Sequence, residues 1–392
     1  MPTTYKPLGQ VLPTDTGNNE MYQVPAATST VVSTISIANT TAVAATARIF
    51  VKKTAFDLTQ SVTSSFGGTA LGAVAYGNGV YVAGGNTTGT SYIVSGTDGS
   101  TWTSRTIAGL TGNVTTVSWG NGLFVAGATA GTLSTSTDGT TWTSRTSNAG
   151  SNALLASVYG TTLLGANLYV AAGAAGALTT SPDGTTWTSR TSGFSTTQIN
   201  ALGYGAGLFI AGGASGTMTT SLDGTTWTAR TSGFSTNAIN GIAYGNGTFV
   251  AVGAAGTITR SPDGITWTAS TSGTASAINA VIWTGSQFVA ITATTVVLTS
   301  PDGITWTSRT SISANGIAYG NARYVMANGS SVASLFGSIP TKSIAVMYDT
   351  SMAANSTTAM TLGITLAAGD ALVVQSGTAS ALSFAAFGSE IS

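Results

Sequence analysis

The sequence predicts an all-β protein: a seven-bladed β-propeller inserted into a discontinuous β-sandwich. Three observations predict it. A turn of the form Ser-Pro-Asp-Gly-Thr-Thr-Trp recurs about every 40 residues. An apolar strand ending in an aromatic residue precedes each copy. The two ends of the chain lack this repeat and instead carry short β-branched runs.

The repeat fixes the propeller. Its Asp residues are Asp98, Asp138, Asp183, Asp223, Asp263 and Asp302, each followed four residues later by a tryptophan: Trp102, Trp142, Trp187, Trp227, Trp267 and Trp306. The spacing is that of a four-stranded blade, longer than the 33 or 34 residues of helical repeats. One step is longer, from the extra residues Thr161 to Ala166. The upstream aromatics are Tyr76, Trp119, Tyr159, Tyr204, Tyr244, Trp283 and Tyr319, seven markers against six Asp turns. Closing a seventh unit therefore needs one more outer strand, expected at Phe56 to Ser64, just ahead of the first repeat. Closure removes exposed sheet edges.

A single unit reads as four strands. In 239–271 they are Ile239–Tyr244, Thr248–Gly253, Gly256–Ser261 and Ile265–Thr271. Gly245-Asn246-Gly247 and Pro262-Asp263-Gly264 supply turns that need positive φ. The propeller is expected to span 54–338.

The ends read as a second domain, 1–53 with 339–392. Strands are expected at Glu20–Val24, Ser29–Asn39, Val43–Lys52, Ser343–Tyr348, Thr358–Leu366, Ala371–Gln375 and Ala381–Phe387. Seven strands in about 100 residues suit a sandwich, and a domain whose own ends lie close together inserts readily at a loop tip.

Composition limits the chemistry. The 392 residues contain no Cys and no His, so a thiol nucleophile, a thiolate or imidazole metal site and a Ser-His-Asp triad are excluded. Lys plus Arg equals Asp plus Glu at 12 each, and charged residues are only 6%. This neutral surface lacks the basic footprint of nucleic-acid binding. No apolar run approaches a membrane span, no signal-peptide h-region is seen at the start, and no cofactor is expected.

The six Asp side chains are expected to accept N–H groups within their own turns, and the tryptophans to wedge between blades. They leave no spare carboxylate pair for glycoside chemistry, which needs two. The arginines at 105, 145, 190, 230 and 309 fall on outer strands, away from a central channel. The reading is therefore non-enzymatic. A ligand face is expected where the outer strand of one unit leads to the next, at Phe194, Phe234, Asn200, Asn240, Asn279 and Asn315, with Asn113 and Asn152 roughly equivalent. The alternative for these amides is turn closure at the blade entrance.

Two resemblances extend this reading. Ser181-Pro182-Asp183-Gly184-Thr185-Thr186-Trp187 resembles the Asp-box of sialidase-type and related propellers, one residue shorter than Ser-x-Asp-x-Gly-x-Thr-Trp and with Gly96 at the Ser place of the first copy. That resemblance implies fold rather than activity. The segments Tyr5-Lys6-Pro7-Leu8-Gly9-Gln10, Tyr22 to Ile35, Ala353 to Thr358, Leu362 to Asp370 and Phe387 to Ser392 look like the ends of β-rich virion structural proteins of tailed phages. This implies a virion component, of the tail, its fibres or the capsid surface. It would contact other virion proteins through the sandwich, form a homo-oligomer and attach to host-surface glycan through the propeller. The competing expectation is a non-phage soluble propeller that binds glycan or protein. A glycosidase is disfavoured.

Overall fold

The computed structural model describes residues 5–11, 19–23, 29–52, 61–65, 69–311, 313–321, 323–329, 331–335, 344–366, 371–376 and 382–391. The chain separates into two compact units, 1–57 with 338–392, and 58–337.

Residues 69–310 build six blades, each an antiparallel sheet of four consecutive strands. Blade 4, for example, comprises Ile199–Gly205, Leu208–Gly213, Thr217–Ser221 and Thr228–Thr231. Blades 1, 2, 3, 5 and 6 occupy 69–105, 114–145, 154–189, 239–270 and 278–310. One further four-stranded sheet is composite. It joins Gly316–Gly320, Arg323–Asn328 and Ser331–Leu335 to Ser61–Ser65 from before blade 1.

The seven-blade expectation is corrected accordingly. Six blades are complete repeats with an Asp turn; a count of seven is reached only by including the composite sheet, which has none. Its outer strand comes from before blade 1, with Leu335 paired to Ser61. That strand lies at 61–65 rather than 56–64; residues 56–60 fall outside the described residues. Outer strands are also shorter than expected: Thr268–Ser270 in blade 5 instead of Ile265–Thr271. Asp263 holds the intervening residues in its turn.

The ring packs through one recurring device. Six of the innermost strands carry an aromatic that lies over a glycine of the neighbouring sheet. A Cβ at Gly77, Gly120, Gly160, Gly205 or Gly245 would overlap Trp119, Tyr159, Tyr204, Tyr244 or Trp283 in turn, and one at Gly320 would overlap Tyr76. Each aromatic also faces one on the second strand of its own sheet, as in Tyr204–Phe209 at 4.8 Å and Tyr244–Phe249 at 4.6 Å between ring centroids. The glycine that follows every aromatic of this series except Trp283 is thus needed for approach, while the aromatic contributes area and oriented ring contacts. Below these rings the second strands are buried throughout, as in Phe209, Ile210 and Ala211 at 0% exposure.

The other unit contains two antiparallel sheets that interleave both ends of the chain. One has the order Tyr5–Val11, Leu382–Ile391, Ser29–Asn39, Thr357–Leu366. The other has Asn19–Gln23, Ala371–Ser376, Ala45–Lys52, Ile344–Met352. Ile35, Ile37, Leu382 and Phe384 are fully buried there. The strand Tyr5–Val11 is an addition to the seven expected. Pro7 and Gly9 obscure it in the sequence. It is tolerated because it sits at a sheet edge with a register shift between those two residues.

Candidate functional site

The Asp turns join the third and fourth strands of each blade and share one construction. In blade 3, Asp183 Oδ1 accepts the N–H groups of Thr185 and Thr186 at 2.8 and 2.9 Å. Ser181 Oγ donates to the same oxygen at 3.0 Å and accepts the Gly184 N–H at 2.8 Å. Gly184 takes a φ of 73°, and its carbonyl accepts the Trp187 indole N–H at 3.1 Å. Trp102, Trp227, Trp267 and Trp306 repeat the indole bond. Trp142 is buried without it.

These contacts hold the carboxyls below the usual range. The strongest cause is the Thr101 N–H for Asp98, the Thr140 hydroxyl for Asp138, the Thr185 hydroxyl for Asp183 and the Thr266 N–H for Asp263. At Asp223 and Asp302 desolvation pushes upward and is outweighed, chiefly by the Thr225 hydroxyl and the Ile304 N–H. Each of the six carboxylates thus spends its Oδ1 on backbone donors of its own turn, and no group of acidic residues fit to hold a metal ion occurs among the described residues.

The outer arginines act within the blades. Arg145, Arg190 and Arg230 donate through Nε to Thr135, Thr180 and Thr220 on the adjacent strand, at 3.0, 2.9 and 2.9 Å. Blade 5 departs from this pattern, with Arg260 at the threonine place and Ser270 at the arginine place.

Inside the ring, the innermost strands line a central cavity of about 240 Å³. Asn200 and Asn240 line it and also tie blade to blade. Asn200 Nδ2 donates to Ile239 O at 3.2 Å, Asn240 Nδ2 to Ile278 O at 3.0 Å and Asn279 Nδ2 to Ala314 O at 2.9 Å. Asn315 is exposed and bonds through its backbone N–H to Ala327 O. In blades 2 and 3 the equivalent places belong to Thr115 and Leu155, not Asn113 and Asn152, because the register shifts two residues into each innermost strand. The Thr115 hydroxyl donates to Leu154 O, the same link made by a shorter side chain. Thr116, Ser157 and Ser118 form a hydroxyl chain across blades 2 and 3, at 2.9 and 2.8 Å. It was not anticipated, although the alternation of small polar residues along these strands is its signal. The cavity lining holds no acid, base or aromatic residue.

Phe194 and Phe234 do not form a ligand face. They are 2% and 1% exposed. Each sits in the loop entering the next blade, where Gly193 or Gly233 followed by Ser195 or Ser235 takes positive φ. The loop thereby folds the ring inward against Gly213 or Gly253. Burial of the ring outweighs its place in a surface loop.

A second cavity lies on the Asp-turn side, between blades 4 and 5. A pocket of about 390 Å³ is lined by Leu208, Thr220, Asp223, Arg230, Phe249, Pro262, Asp263 and Ile265, among others.

Comparison with known proteins places this geometry. No curated protein matches the chain. Solved structures match the fold. Virginiamycin B lyase of Staphylococcus aureus aligns with a TM-score of 0.61 at 10% identity, covering 70% of this chain and 98% of the lyase. YCF48 bound to D1 peptide aligns with a TM-score of 0.56 at 13% identity, covering 73% and 97%. YCF48 from Cyanidioschyzon merolae aligns with a TM-score of 0.53 at 17% identity, covering 71% and 98%. The DUF6242 beta propeller domain matches twice in succession, over residues 57–204 and 203–374, as a chain built on one repeated blade would. With most of its length so matched, the chain belongs to the DUF6242 beta propeller domain family.

Proposed function

We propose that this protein is a non-enzymatic binding propeller carried by a structural unit of a tailed-phage virion. The observation that carries the reading is the interleaving of the two chain ends. Leu382–Ile391 pairs with both Tyr5–Val11 and Ser29–Asn39. The propeller is thus an insertion held at both ends by a unit whose sequence resembles phage structural proteins. Binding rather than catalysis is supported by the six Asp carboxylates, each committed to its own turn, and by a central cavity without acid or base. A histidine-to-alanine variant of the virginiamycin B lyase is described as catalytically inactive; this chain contains no histidine.

The test is mass spectrometry and immunogold labelling of purified phage particles. The protein is expected on capsid or tail. Absence from particles that a producing host releases overturns the virion assignment.

A second reading has one observation in its favour: the similar YCF48 propeller binds a peptide. Under it this protein is a soluble peptide-binding propeller, and affinity capture would return a protein partner in cells without phage.

A further inference from the structure

We propose that the crevice between blades 4 and 5 is a binding site for a neutral saccharide unit. The inference rests on the binding reading above but not on the virion assignment.

Two bonds that bridge the adjoining crevices have no counterpart in this one. Between blades 5 and 6, Asn246 at the hairpin tip donates to Pro301 O of the next Asp turn at 3.4 Å. Between blades 3 and 4, the extra hairpin residues reach over, and the Leu163 N–H donates to Leu222 O at 3.3 Å. At the corresponding tip of blade 4 stands Ala206, with the same φ of 48° as Asn246 but no side-chain donor. Thr220, like Thr135 and Thr180, keeps a short side chain at the place where blade 5 carries Arg260. A short side chain at that place leaves volume. The resulting 390 Å³ lies within the roughly 300–1,000 Å³ of small-molecule sites.

The lining has the chemistry of polyol recognition. Arg230 spends its Nε on Thr220, and no hydrogen bond within the described residues engages its terminal nitrogens. Asp263 Oδ1 takes the N–H groups of Ile265 and Thr266 and the Ser261 hydroxyl. Asp138 and Asp183 receive a threonine hydroxyl on Oδ2 as well. In this turn Ile265 replaces that threonine, so Oδ2 keeps its acceptor capacity. A donor fork and a free carboxylate oxygen therefore share one crevice with the exposed side chains of Leu222 and Ile265, above a floor of buried Leu208 and Phe249. Neighbouring hydroxyls can bond to the polar groups while the C–H face of a sugar ring covers the apolar wall. One guanidinium stands against two carboxylates, Asp223 and Asp263, and this balance repels an anionic ligand.

The test uses the full chain and ligand-observed saturation-transfer NMR. The neutral probes are methyl β-galactoside, methyl α-glucoside and N-acetylglucosamine; the anionic probe is N-acetylneuraminic acid. At least one neutral probe is expected to bind more tightly than the anionic one. Arg230→Gln should weaken that binding roughly ten-fold, the scale of one charge-assisted hydrogen bond. Thr220→Arg fills the crevice as Arg260 does in blade 5 and should abolish the signal. Ala206→Asn restores the hairpin bridge and should weaken it, while Arg190→Gln in blade 3 should leave it unchanged. Circular dichroism checks that each variant is folded. Absence of binding by every neutral probe overturns the proposal. So does preference for N-acetylneuraminic acid, or binding that survives both Arg230→Gln and Thr220→Arg. None of these results bears on where the protein resides, which the particle experiment decides separately.

Discussion

The Tyr81 hydroxyl donates to the Gly320 carbonyl, joining the first blade to the composite sheet across 239 residues of chain. The same seam is sealed by Tyr76 over Gly320 and by a bridge between Leu71 and Gly329. Tyr169 makes the equivalent bond to Gly120 between blades 2 and 3, at 2.9 Å. A link made by a repeat residue inside the ring is thus reused to close it.

Replacing Tyr81 by Phe should lower stability by about 1–3 kcal/mol, since the buried Gly320 carbonyl loses its side-chain donor. Urea unfolding of Tyr81→Phe and Tyr169→Phe measures both links. A null effect at Tyr81 would mean that the seam is held by packing alone.

Gly205→Ala isolates the packing device between blades. The residue has no positive φ, so backbone strain is not at issue. The added methyl would overlap the Tyr244 ring. Overpacking of this kind costs roughly 1–3 kcal/mol, and a thermal melt should show the loss. If Tyr244→Ala is introduced alongside, the cost of the methyl should shrink, because the two sites are coupled.

Phe234→Ala should destabilise by about 3–5 kcal/mol, as removal of a buried aromatic does. The side chain belongs to a core cluster with Ile239, Ile242 and Phe249. A large fall in the denaturation midpoint is expected. A neutral result, with ligand binding lost instead, would return this residue to a binding role.

Stability should be level across neutral pH and fall at both extremes. The Asp-turn carboxyls titrate lower in the folded state than their unfolded value of about 3.9. Their contribution is complete above that value and is lost as pH falls through the folded pKa. Burial pushes the hydroxyls of Tyr81 and Tyr324 upward. Their contribution is present below the unfolded value of about 10 and is lost as pH rises toward the folded one. With no histidine in the chain, urea midpoints should be flat from roughly pH 5 to pH 9. A step near pH 6.5 would contradict this.

The repeated Asp turn, the aromatic-then-glycine strand end and the Asn-Gly hairpins were legible in the sequence because each is local. A turn is set by the torsions and donors of a few neighbouring residues, and a strand by alternation along one segment. Thus Asp183, Gly184 and Trp187 take the roles that their order implies. The side chains that reach another blade were less legible. Phe194 and Phe234 stand in loops and read as exposed, yet the loop turns them into the core. Asn200, Asn240 and Asn279 read as a ligand face, yet each amide is used to clasp a carbonyl 35 to 39 residues further on.

The sequence by itself determined the repeated all-β unit, its period and the absence of thiol and imidazole chemistry, because composition, turn torsions and strand alternation are properties of the chain alone. Only the tertiary structure decided the register in which Ser61–Ser65 pairs with the last sheet, and the strand order of the two sheets that both chain ends share. It also decided that the crevice between blades 4 and 5 is a pocket. Those outcomes depend on which residues meet across the ring, where a change such as Ala206 for the asparagine of blade 5 alters a contact that no local pattern records.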